Sequence, residues 1–469
     1  MNHTVSNKAL FPETNQKIEL LHNLVGKIEK VKQVVSQSKV TPKQDMQVFR
    51  RQLKSMDFNG TASLEEVIDW TLNHFKDGLV QMIHPGYMGL FNPAPTFPSE
   101  VASIISSAFN PQNCVWSHAP VSVEIESHVL KQLIKRLGLP KNSTGHFTSG
   151  GSEANATAFV GALSKIYPNF ANDGVFAFKG QPCIYVSKES HLAWIKIAAT
   201  TGVGRKAIRL IATDGLGRMD AQVLHKIIEQ DKKEGNIPVM VVATAGTTNA
   251  GMIDPIKSSR EICNQYNMWF HVDAAWGGAL IVSDYYKDRL DGIELADSIT
   301  IDAHKWFATT MGAGMFFTRH KQVLSNLFSV STDYMPSNDA EQDLYVNSML
   351  WSRRFIGLPL FMSLATVGWQ GYAQHLEHGI NLIAYLVKKM QGHGWQLLNQ
   401  SDMAIACLIP PEGAHTPSQI VEKIVEKGEQ WISVTKFEEQ SVIRVCLTNG
   451  MTSSSHINGL IENLLEVSY

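Results

Sequence analysis

Apolar and polar positions along the chain follow two different periods. Through about residue 80 the apolar positions recur at helical spacing, as in "NQKIELLHNLVGKIEKVKQVV". The run "SLEEVIDWTLNHF" adds a start signal, with Ser63 at an N-cap position and Glu66 three residues on. "HPGYMGLFNPAPTFPSE" then ends the pattern, because Pro85, Pro93, Pro95 and Pro98 exclude a regular helix and predict an irregular loop. From about Gly145 short β-rich runs alternate with helical segments. The predicted strands are "GHFTS", "PCIYVS", "KAIRLIA", "IPVMVVAT", "MWFHVDA", "DSITID" and "GMFFT". Nearly continuous apolar runs such as "PVMVVAT" suit a mainly parallel sheet covered on both faces, so the chain reads as an α/β protein. After a helical stretch beginning at "GLPLFMSLATVGW", the order strand, helix, strand, strand, helix predicts a small α+β unit over the last hundred residues.

Composition narrows the class. Of 469 residues, 44% are apolar and 18% charged, the balance of a globular chain. A net charge of -2 without a run of Lys and Arg lacks the footprint of a nucleic-acid binder and points to small-molecule partners. The N-terminus has no signal-peptide pattern, and no stretch reaches the ~18 apolar residues of a membrane helix, so a cytoplasmic protein without a membrane partner is expected. Five scattered cysteines include no C-x-x-C pair, and no metal site is expected.

Chemistry concentrates at strand ends, where ligands gather in open α/β sheets. "HFTSGGSEAN" passes through Gly150 and Gly151 into a helix starting near Ser152, which offers backbone N–H groups and a hydroxyl to an anion. "WFHVDAAWGG" ends an apolar strand on Asp273, a carboxylate that needs a partner if buried. His191 follows the strand "CIYVS", and Lys305 closes "SITIDAHKWF" among His304, Trp306 and Phe307. Each of these, taken alone, also fits a structural role. Together, a phosphate cradle, a partly desolvated lysine, a ring-nitrogen acid and a flat imidazole suit one ligand, pyridoxal 5'-phosphate.

These motifs carry a resemblance. "HPGYMGLFNPAP", "SHAPVSVEIE", "FTSGGSEAN", "ATAGTT", "HVDAAWGG", "ADSITIDAHKW", "RRF" and "VIRVCLTN", in that order, make the chain similar to the group II pyridoxal-phosphate-dependent amino-acid decarboxylases, which include the aromatic amino-acid and glutamate decarboxylases. The resemblance implies a fold-type-I architecture: a helical segment over 1–90, a large cofactor domain over 91–360 with a mainly parallel seven-stranded sheet, and a small C-terminal domain over 361–469. It further implies a homodimer with active sites at the subunit interface. Carried over, Lys305 would bear the cofactor, Asp273 would face its ring nitrogen and His191 would stack on the ring. Gly150, Gly151, Ser152 and His304 would serve the phosphate, and Thr247, Asp254 and Ala275 would lie around the cofactor. Phe91, Asn92 and Arg444 would border the substrate. Tyr345, preferred to Tyr334 for its spacing from Arg353, matches the family's mobile-loop tyrosine and would protonate the product carbon. Asp302 stands where aromatic decarboxylases commonly have Asn. The implied reaction is decarboxylation of an L-amino acid to its amine and carbon dioxide. Aldehyde synthesis, lysis, transamination or a non-catalytic scaffold role would keep most of the same residues.

Overall fold

The computed structural model describes residues 10–42, 44–330 and 343–469; Tyr334 lies outside them. All seven predicted strands of the large unit form: β1 (Thr144–Thr148), β2 (Pro182–Ser187), β3 (Ile208–Ile211), β4 (Ile237–Thr244), β5 (Trp269–Asp273), β6 (Ser298–Asp302) and β7 (Gly314–Thr318). They make one sheet in the order β1-β7-β6-β5-β4-β2-β3. Strands β6, β5, β4, β2 and β3 are parallel, while β7 runs antiparallel to both β1 and β6. Apolar side chains pack on both faces: Phe270, Val272, Ile299 and Ile301 belong to one core cluster, Trp269, Met240, Val242 and Phe316 to another. That two-sided burial is why the strands read as nearly continuous apolar runs.

The N-terminal segment forms the helices Thr14–Ser36, Met46–Ser55 and Leu64–Gly78, the last opened by the predicted capping box between Ser63 and Glu66. The Pro-rich loop after them is sewn to the C-terminal part of the chain. Met88 N–H donates to Trp431 O, and Cys446 N–H donates to Met88 O. Gly89 permits the approach, since a Cβ there would meet the Trp431 ring at 2.4 Å.

The helix Leu358–Gln391 runs across the division expected at residue 360 and bends at Gly368, whose φ of 65° is left-handed. The C-terminal unit carries an antiparallel sheet of order β10-β11-β9-β8, built from β8 (Gln396–Leu397), β9 (Ile405–Ile409), β10 (Ser433–Phe437) and β11 (Gln440–Cys446). The two-residue β8 was not expected; it is too short to leave a periodic signal. Among the described residues, no helix is long and apolar enough to cross a membrane.

Candidate active site

Side chains alternate across a strand, so "WFHVD" sends Trp269, His271 and Asp273 to one face of β5 and Phe270 and Val272 to the other. On β6 the same rule groups Ser298, Thr300 and Asp302. This polar face lies beneath the helix Gly151–Ile166, which packs on β4, β5, β6 and β7. Asp273 and Asp302 occupy the carboxyl ends of their strands, and the turn after β6 presents His304 and Lys305 beside them.

A cavity of about 350 Å³ opens there. Its walls include Gly150, Gly151 and Ser152 at the helix start, His191, Asp273, Ala275, His304 and Lys305, with Phe91 on one side. Lys305 Nζ lies 3.1 Å from Asp302 Oδ2, with the lysine side chain 22% exposed and the aspartate 3%. His304 Nε2 is 3.9 Å from the same oxygen, and its Nδ1 is 2.9 Å from Ala313 O. Asp273 accepts from Asn155 Nδ2 at 2.8 Å and from Ala275 N at 3.2 Å. At the helix start, space is tight: a Cβ on Gly151 would lie 2.8 Å from Asp302 Oδ2, so the carboxylate would have to shift to admit any side chain. Phe91 stacks on Trp276 (4.2 Å between centroids), and Trp276 stacks on Trp306 (4.9 Å), the residue after Lys305.

Five expected site residues stand elsewhere. Thr247 turns its hydroxyl to Met252 N at 3.0 Å, closing its own turn, whereas Thr244, Gly246 and Thr248 reach the cavity. Asp254 is buried away from the cavity and accepts from Thr244 N and Met219 N; burial pushes its carboxyl up to about 7. It braces Thr244, whose hydroxyl pairs with Ser190 Oγ at 2.8 Å. Asn92 contacts Met311 Sδ at 3.3 Å and is also off the wall. Arg444 is buried behind Phe91, 4.7 Å from that ring; it donates to Thr248 O and Gly89 O and leaves Nη2 without a partner. Tyr345 packs against Trp351 in a small cluster with Cys114 and Val115 and does not line the cavity. In these cases motif position alone could not tell a wall residue from one supporting it.

Sequence reading passed over Asn155, His271 and Ser298, which form a buried polar group beneath Asp273. The alternation in "WFHVD" and "SITID" was the available signal, because polar residues at every second position of a buried strand must find one another.

The donor set fits pyridoxal phosphate. A helix N-terminus with Ser152 suits the phosphate, a lysine amine suits the aldehyde, and an acid and an imidazole occupy the same cavity. Comparison with known proteins agrees. A family profile described as "Pyridoxal-dependent decarboxylase conserved domain" matches residues 50–407. The aromatic-L-amino-acid decarboxylase of Bacillus atrophaeus is 28% identical over 88% of this chain and 87% of its own. The L-2,4-diaminobutyrate decarboxylase of Acinetobacter baumannii is 28% identical over 86% and 83%. Among solved structures, mouse CSAD superposes with a TM-score of 0.90 at 24% identity, covering 97% of this chain and 99% of that one. The sheet order, the shared cavity and the family match lead to one conclusion: this chain belongs to the pyridoxal-dependent decarboxylases and is a pyridoxal-phosphate-dependent carboxy-lyase acting on an amino acid.

Proposed function

We propose that the substrate is an L-amino acid with an aromatic or other uncharged side chain, converted to its amine. The observation that carries this is the apolar wall beside the lysine, whose Nζ lies 5.9 Å from the Phe91 ring centroid. Phe91, Trp276 and Met311 present apolar surface, while Phe91 covers the Arg444 guanidinium, so among the described residues no free cation faces the substrate from that side. A second reading has its own support, because the buried and unpartnered Arg444 Nη2 would meet an acidic side chain if Phe91 turned aside. Carbon dioxide and amine release across aromatic, acidic and basic amino acids separates the two, with aldehyde and keto acid assayed alongside. The aromatic substrates are expected to give the highest kcat/KM; a preference for acidic ones would overturn the assignment.

In this reading Lys305 bears the cofactor, Asp273 faces its ring nitrogen and His191 covers the ring. Gly151 and Ser152 hold the phosphate at the helix start. The bound cofactor supplies an electron sink for the charge left when carbon dioxide departs. Asp273 keeps that sink effective by holding a proton on the ring nitrogen. Tyr345 delivers the proton to the product carbon, which requires its segment to leave the Cys114–Val115 cluster or to serve a neighbouring subunit's cavity.

The assembly we propose is a homodimer, and the N-terminal helices support it. Among their described residues, Thr14–Ser36 buries only Val35, and Met46–Ser55 and Leu64–Gly78 bury none, while Leu21, Val25 and Phe75 are exposed; Phe97 and Phe109, at the ends of the next helix, Phe97–Phe109, are exposed as well. So much apolar surface on one chain marks an interface. A second copy of this chain, bringing its own matching face, is the proposed occupant.

A further inference from the structure

Beneath Asp273 runs a chain of hydrogen bonds in which each link permits one direction. Trp269, Ser298, His271 and Asn155 are all at least nine-tenths buried. The parallel register sets His271 directly beside Ser298, and Trp269 lies two residues earlier on the same face of β5. An indole N–H can only donate, and Trp269 Nε1 is 2.8 Å from Ser298 Oγ. The serine accepts there and, because the Asp273 carboxylate at the other end of the chain can only accept, it donates its own hydrogen to His271 Nδ1, also at 2.8 Å. Burial pushes His271 down to about 4, so the ring is neutral and carries one N–H. With Nδ1 accepting, that hydrogen is on Nε2, which donates to Asn155 Oδ1 at 3.2 Å. The amide is thereby oriented, and its Nδ2 donates to Asp273 Oδ2 at 2.8 Å. Turning the amide over would set its carbonyl against the carboxylate and an N–H against the histidine's own N–H. Trp194, edge-on to the imidazole at 5.6 Å, packs the ring in place.

We propose that His271, acting through Asn155, is a positioning residue that fixes the Asp273 carboxylate and so holds the proton on the cofactor's ring nitrogen. It touches neither substrate nor cofactor; it removes the freedom of the group that does. The role rests on the reading above that Asp273 faces the ring nitrogen. It extends that reading to three further residues, which decide whether the acid is held in one orientation or left to rotate.

The test uses holoenzyme reconstituted with pyridoxal phosphate labelled with 15N in the ring. Wild type is expected to show the resonance of a protonated ring nitrogen. Asn155→Leu and His271→Leu are expected to move it toward the unprotonated position and to lower kcat about tenfold with little change in KM, the scale on which outer-shell partners act at metal sites. His271→Gln places an amide N–H where Nε2–H was and is expected to recover most of both readouts, which a packing role alone would not produce. Ser298→Ala, the least disruptive change, guards against misfolding and is expected to shift the resonance in the same direction by less. A wild-type resonance and kcat in the folded Leu variants, or in folded Ser298→Ala if those do not fold, would overturn the relay. Failure of the wild type itself to bind the label through Lys305 would instead overturn the underlying assignment of the site.

Discussion

At the scale of single residues, the site is governed by where charge is allowed to rest. Asp302 is the clearest case. Its Oδ2 sits 3.1 Å from Lys305 Nζ and would be 2.8 Å from a Cβ at Gly151, so one carboxylate borders both the amine and the proposed phosphate cradle. Its other oxygen, Oδ1, is buried without a partner. An acid beside a phosphate is repulsive; because the Lys305 ammonium offsets most of the Asp302 charge, a net gain on the order of 1 kcal/mol is expected on removing it, below the full interaction of two unpaired like charges. Asp302→Asn is therefore expected to tighten pyridoxal phosphate binding roughly threefold to tenfold, measured by titrating apoenzyme and following visible absorbance. Weaker binding would mean that the carboxylate's hold on Lys305 matters more than its repulsion. Tyr345 is tested by its product. With the phenol removed in Tyr345→Phe, output in aerobic buffer is expected to shift from amine toward aldehyde, with dioxygen as the electron acceptor and the nitrogen released as ammonia, and unchanged amine would take the tyrosine out of the mechanism.

At the scale of elements, the cradle depends on how closely β7 approaches β1 and β6. Gly314 is paired with Thr148 on one side and Asp302 on the other. A Cβ there would lie 2.5 Å from Thr148 Oγ1 and 2.6 Å from the carbonyl carbon of Gly150, so even alanine must push the backbone that starts the phosphate-facing helix. Overpacking of this kind costs about 1–3 kcal/mol. Gly314→Val is expected to lower the midpoint of denaturation accordingly and to weaken cofactor binding more than tenfold, by absorbance titration. Normal affinity would show that the helix start can move without loss. The Pro-rich loop works by the same logic, since Gly89 brings it against Trp431 and sets Phe91 between Lys305 and Arg444.

At the scale of the whole molecule, two properties follow from burial. The exposed apolar faces of the N-terminal helices predict that sedimentation or light scattering will give twice the chain mass, and that truncating the chain before the Pro-rich loop will produce monomer or aggregate. A stable monomer of the full chain would refute the interface. The second property is pH dependence. Burial pushes His146 down to about 3 and His271 and His375 down to about 4. Below about pH 6.5 the unfolded chain binds protons that these folded imidazoles refuse, so stability falls as pH falls toward 4. Asp254, pushed up to about 7, acts oppositely, because folded it keeps a proton that the unfolded chain has already lost between about pH 4 and 7. Burial raises Glu126 and Glu189 as well, which act with Asp254, and lowers His84, which joins the other imidazoles. Four imidazoles against three carboxyls leave a partial balance, and a thermal midpoint roughly 2–5 °C lower at pH 5 than at pH 7 is expected. A flat profile would mean that the buried imidazoles gain protons without unfolding.

The sequence by itself determined the strands of the seven-stranded sheet and the capped helix at Ser63, because these are local consequences of period and end signals. It also determined the order of motifs that marks the family, and it placed Gly151, Asp273, His191 and Lys305 at strand and helix ends, where the sheet gathers them into one cavity. Only the tertiary structure decided which neighbours of those residues face the cavity and which brace it. Thr244 and Thr248 reach the wall while Thr247 does not, and Asp254 and Arg444 stand behind it. The same is true of the alignment of Trp269, Ser298, His271 and Asn155 under Asp273, which needs a register between strands and a helix laid across them. Period is written in consecutive residues, whereas a hydrogen bond between residues more than a hundred positions apart exists only once the sheet has brought them together.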